Sequence, residues 1–166
     1  MAMLVVLLLQ ASVAAQVPAA WIGTWTLNVA KSTYDPGPPP YKRATYTIEP
    51  WNDGLKVTYE MVHPRGGLTH LEWAGRLDGR DYRVQGIDEV LTYAYRPAGD
   101  GSYEVSVKFD GRVTAVSTVT VSADGRTMIT TTRGKGVRGQ DVTTRTVYEK
   151  EQDGRGSGYI GTASGR

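Results

Sequence analysis

Residues able to do acid–base, metal or nucleophilic chemistry are few in this chain. It has two histidines, His63 and His70, and no cysteine. On an alternating strand His63 falls with Leu55, Val57, Tyr59 and Met61, the apolar face of 55–63. His70 falls with Glu72, on the polar side of the next strand. A site of two imidazoles and a carboxylate needs ligands that converge on one point, and these do not, so no metal site is expected. Without cysteine there is no disulfide, thiolate ligand or catalytic thiol. No Gly-x-Ser-x-Gly elbow or phosphate-binding loop occurs. The segment RGKGVRG (133–139) has glycines and basic residues, but no helical pattern follows it, so it reads as a hairpin loop. Carboxylates sit mainly in turns and on polar faces. The chain therefore reads as a non-enzyme, with no catalytic residue and no cofactor.

What remains is binding chemistry. Tyr46, Tyr59, Trp73, Tyr82, Tyr93, Tyr95 and Tyr103 fall with the more apolar face of their segments, together with Val57, Met61, Leu71, Val105 and Val107. Tyrosine and tryptophan each join an apolar body to one hydrogen-bonding group, which suits a ligand chamber. The candidate ligand-binding residues are Tyr46, Tyr59, Met61, Trp73, Tyr93, Val105 and Val107. The same residues could instead simply fill an interior.

Strands must position them. Asp-Gly recurs at 53–54, 78–79, 100–101, 110–111, 124–125 and 153–154, the pair that fits tight strand-connecting turns. Between these turns run Val-, Thr- and Tyr-rich segments with period two. Strands are predicted near 21–28, 41–49, 55–63, 68–76, 80–85, 89–96, 102–109, 112–121, 126–133 and 140–149. Short links make successive strands antiparallel neighbours. A meander of about ten strands must deal with its edges, and closure into a barrel removes them. The fold class is thus all-β: a single up-and-down antiparallel β-barrel of about ten strands. Residues 29–40 contain Pro36-Gly37 and three consecutive prolines, so they read as a rigid extended surface crossing. Thr-rich segments near 114–121, 127–134 and 141–148 fit either a hydrated lumen or a solvent-facing surface.

The ends and the charge place the molecule. Residues 1–15 carry an apolar run from Met3 to Leu9, followed by small residues at Ser12, Ala14 and Ala15, the pattern of a secretory signal peptide. That run is far too short to span a bilayer. The barrel domain is expected over 16–149 and a Gly/Ser-rich flexible tail over 150–166, with the protein periplasmic or secreted and monomeric. Basic and acidic residues nearly balance, 19 against 17, and are scattered, so no nucleic-acid footprint is present. Lys56, Glu60, Glu104 and Lys108 on outward faces oppose a barrel set in lipid.

One motif gives a resemblance. WIGTWTLN (21–28) places Gly23 between Trp21 and Trp25, and Gly-x-Trp on the first strand of a barrel resembles the calycins, that is, lipocalins and fatty-acid-binding proteins. TTRTVYEK (143–150) is similar to the last strand of the fatty-acid-binding family. The run Gly23–Ser32 followed by Pro36-Gly37-Pro38 resembles a group of uncharacterised secreted bacterial lipocalin-like proteins. The resemblance implies a ligand-carrying barrel in which Trp21, Gly23 and Trp25 are structural. It also implies that Arg145, or failing it Arg133, packs across the motif tryptophan. In the fatty-acid-binding family an Arg and a Tyr two positions apart on the last strand hold the ligand carboxylate. Here Arg145 and Tyr148 are three apart, which on a regular strand sends them to opposite faces. That family's helical lid has no counterpart pattern in this chain. A heme-binding barrel of the nitrobindin type also opens on Gly-x-Trp, with His63 or His70 as the axial ligand it would require.

The sequence therefore points to a non-catalytic barrel taking a small, mostly apolar ligand. The alternative is a filled barrel acting through its surface at the cell envelope.

Overall fold

The computed structural model describes residues 17–136 and 138–152. The proposed signal peptide and most of the proposed tail lie outside the described residues.

Eleven strands form one sheet: β1 (Gly23–Leu27), β2 (Thr33–Asp35), β3 (Arg43–Trp51), β4 (Gly54–Val62), β5 (Leu68–Gly75), β6 (Tyr82–Gln85), β7 (Leu91–Gly99), β8 (Ser102–Phe109), β9 (Arg112–Val121), β10 (Thr127–Lys135) and β11 (Asp141–Lys150). From β3 onward each strand pairs antiparallel with the next, and β1 pairs with both β3 and β11, which closes the ring. The result is a ten-stranded up-and-down barrel without free edges, the architecture that the calycin resemblance implies. No α-helix occurs among the described residues, only the short 3-10 turns Ala19–Trp21 and Val29–Lys31.

Each predicted strand is present, with ends shifted by a few residues. Two local differences have physical causes. Trp21 lies in a 3-10 turn rather than on the first strand, and the turn tips its indole beneath the barrel. The Pro-rich crossing also contains a strand, because Thr33, Tyr34 and Asp35 pair with Arg145, Thr144 and Thr143 before the prolines end the pairing. β1 and β2 thus share one partner strand and together occupy one position in the ring.

The turn between β1 and β2 is held by side chains. Asn28 Oδ1 accepts from the Lys31 amide, and Asn28 Nδ2 and Lys31 Nζ both reach Glu149 Oε1, at 3.1 and 2.7 Å. Ser32 Oγ accepts from the Val147 amide at 3.0 Å, while the Asn28 amide donates to the Val147 carbonyl. The Asn-x-x-Lys-Ser spacing of the motif is therefore a stitch between first and last strands.

Alternation then sorts the faces. Leu55, Val57, Tyr59 and Met61 of β4 are buried, as are Tyr103 and Val105 of β8. Phe109, at the end of β8 opposite Leu91, is 36% exposed, and the neighbouring β9 carries a bulge at Thr114. Outward charges pair with one another: Lys56 with Glu72, Glu104 with Arg96, and Lys108 with Asp81.

Candidate ligand chamber

The tryptophan motif closes one end. Trp25 is fully buried, and its indole Nε1 donates to the Trp21 carbonyl at 2.8 Å. Trp21 packs edge-on against Tyr95 and Tyr103. The basic side chain across Trp25 is Lys150, not Arg145 or Arg133. Its Nζ lies 5.2 Å from the ring centroid and donates to the Ala20 carbonyl. Arg145 and Arg133 are both exposed on the outer surface. Arg145 pairs with Thr33 and Thr131, toward the far end of β11, whereas Lys150 pairs directly with Trp25. Gly23 gives this lysine its path, since a Cβ there would stand 2.7 Å from Lys150 Cε. Its backbone also has φ +130°, a region that favours glycine.

Above this plug the barrel encloses a chamber of about 340 Å³, near the lower end of the roughly 300–1,000 Å³ usual for ligand pockets. Trp21, Leu27, Ile48, Val57 and Val119 supply its apolar floor and sides. Tyr34, Pro40 and Tyr41 stand at the opposite end, brought there by β2 and the Pro-rich crossing. Five of the candidate residues, Tyr46, Tyr59, Tyr93, Val105 and Val107, line the chamber. Met61 and Trp73 do not. Both are buried in the packed core, where Trp73 lies against Tyr95 and donates to the Tyr93 carbonyl.

The phenols form two pairs. Tyr148 donates to Tyr46 at 2.7 Å, and Tyr59 and Tyr95 share a hydrogen bond of 3.2 Å. Burial pushes the phenols of Tyr46, Tyr59, Tyr93, Tyr95 and Tyr148 above their ordinary range, so they stay neutral. At Tyr46 the neighbouring Tyr148 adds to the effect, and at Tyr59 the neighbouring Tyr95 does.

Several lining residues were not singled out by sequence reasoning. Ser117, Thr130, Thr132, Thr144 and Thr146 face the chamber, while Thr118, Thr120 and Thr143 are exposed outside. With threonine on both faces, alternation offered no contrast to tell them apart. Tyr95 and Tyr148 also line the chamber. Tyr148 and Arg145 do point to opposite sides, as their spacing requires.

Neither histidine lines the chamber. His63 Nε2 bonds Thr69 Oγ1 and its ring lies beside Tyr41. His70 stands outside, between Glu60 and Glu72. Neither histidine is thus placed as an axial heme ligand directed into the lumen.

No family model and no curated protein matches the chain, so neither supports the finer likeness to a secreted bacterial group. Among solved structures the chain is similar to the zebrafish ileal bile acid-binding protein complexed with cholic acid. That match is 11% identical with a TM-score of 0.46, over 80% of this chain and 100% of that one. The fold assignment rests on the closed ring of strands, not on that likeness.

Proposed function

We propose that this barrel binds a small, mostly apolar ligand in its lumen and is not a catalyst. The chamber of about 340 Å³, walled by aromatic and aliphatic side chains and a band of hydroxyls, carries this reading. It favours a ligand over the filled-barrel alternative, because the inward side chains leave the lumen unfilled. The reading extends to an exported monomer, supported by the composition of residues 1–15 and the paired charges of the outer face.

The test is titration with the neutral fluorophore N-phenyl-1-naphthylamine. Fluorescence should rise saturably with the native protein. Val107→Trp, which places an indole into the chamber, should abolish the rise while the far-UV spectrum stays that of a barrel. Undiminished probe binding by that variant would place the probe elsewhere and sink the reading.

A further inference from the structure

The lumenal reading leaves the ligand's polarity open, and the chamber wall bears on it. β9, β10 and β11 present two cross-strand rows inward, Val119–Thr130–Thr146 and Ser117–Thr132–Thr144. All but Val119 carry a hydroxyl. Ser117 and Thr132 share a hydrogen bond of 2.7 Å, and Thr146 Oγ1 donates to the Thr130 carbonyl at 3.2 Å. The hydroxyls of Thr130 and Thr144 have no protein partner among the described residues. Two hydroxyls sharing one bond still retain a free O–H, so the patch offers both donors and acceptors to the lumen.

No Asp, Glu, Lys, Arg or His lines the chamber among the described residues. The last-strand arginine that would answer a carboxylate, Arg145, is exposed on the outside. The phenols pair as Tyr46 with Tyr148 and Tyr59 with Tyr95, and each pair keeps one O–H to donate but carries no positive charge. An anion drawn into this space would lose part of its hydration and meet no cation in the lining. A neutral hydroxyl or carbonyl would exchange water for the threonine wall at little cost.

Resting on the lumenal reading, we infer that the chamber takes an uncharged amphipathic ligand and discriminates against carboxylates. The ligand's apolar body lies over the floor, and a hydroxyl or carbonyl edge lies against Thr130, Thr132 and Thr144. This reverses the ligand class that the fatty-acid-binding resemblance implies. The physical reason is the register of β11, which turns its arginine out and its threonines in.

The experiment is competition against N-phenyl-1-naphthylamine by 1-nonanol and by nonanoate, on the full chain at pH 8. Nonanol should displace the probe at a concentration at least about tenfold lower than nonanoate. The Thr132→Val, Thr144→Val double variant should lose about fivefold in nonanol affinity, a larger loss than it shows for the probe. The Thr→Ser pair at the same positions should retain both affinities. If the double variant fails to fold, Thr144→Val alone gives the readout. Nonanoate binding as tightly as nonanol, or nonanol affinity indifferent to these hydroxyls, overturns the inference and leaves lumenal binding standing. If neither the probe nor either competitor enters the protein, the lumenal reading falls and the inference with it.

Discussion

Gly23 shows how one residue can be fixed from two directions. Its φ of +130° is costly for any residue with a Cβ, and the space where that Cβ would go is taken by the Lys150 stem. The lysine is a flexible chain that can move aside, whereas the backbone cannot. Gly23→Ala is therefore expected to destabilise the barrel by about 1–3 kcal/mol. A second change, Lys150→Ala, should not restore the loss, because the strain lies in the backbone. Chemical denaturation of the single and double variants measures this, and full rescue by Lys150→Ala would assign the cost to the contact instead. A structural part for Trp21 and Trp25 was legible in the motif through the family it resembles. Their basic partner was not, because both arginines suggested by resemblance lie on strands whose register only the closed ring defines.

At the scale of the element, the turn between β1 and β2 is the informative feature. It ties first strand to last through Asn28, Lys31 and Ser32, and so holds the seam of the barrel. The contributions are unequal. Lys31 and Glu149 are both substantially exposed, at 63% and 49%, and solvent screens their attraction. The carboxyl of Glu149 is nonetheless held below its usual range, by Lys31 first and Asn28 second. Ser32 instead satisfies the backbone amide of Val147, a residue only 4% exposed. Ser32→Ala should cost about 1–3 kcal/mol, the penalty for a buried donor left unpaired, and Lys31→Ala should cost less. Thermal melts of the two variants rank them. A Lys31→Ala variant less stable than Ser32→Ala would show that the ion pair, not the amide bond, holds the seam. The short β2 escaped the sequence pattern because three residues next to prolines carry too little alternation to register.

For the whole molecule, the aromatic interior sets a pH response. Tyr46, Tyr59, Tyr93, Tyr95 and Tyr148 have phenols raised above the ordinary 10.0 chiefly by burial. Below about pH 10 both folded and unfolded chains keep these phenols protonated, and the stability they contribute is fully present. Above it the unfolded chain releases protons that the barrel retains, so stability falls as pH rises toward the folded values. Alkaline titration followed by phenolate absorbance should show the exposed tyrosines ionising first. The buried group should follow in one cooperative step that coincides with loss of the far-UV strand signal. Gradual ionisation of all tyrosines near pH 10, with the strands intact, would mean that the chamber is open to water throughout.

Taken by itself, the sequence determined the class of fold. Period-two alternation, Asp-Gly turns and short links leave successive strands little choice but to pair antiparallel, and a long meander closes to remove its edges. It also marked Tyr46, Tyr59, Val105 and Val107 as inward, because each contrasts with charged or polar neighbours on its own strand, and Tyr93 by its alternation with Leu91 and Tyr95. Only the tertiary structure decided what those residues enclose. Whether aromatic side chains fill a barrel or leave a chamber depends on how the two sides of the ring meet, and no strand carries that information alone. The same holds for the threonine wall. Thr130, Thr132, Thr144 and Thr146 differ from their outward neighbours in direction rather than in type, and direction is set by register around the closed ring.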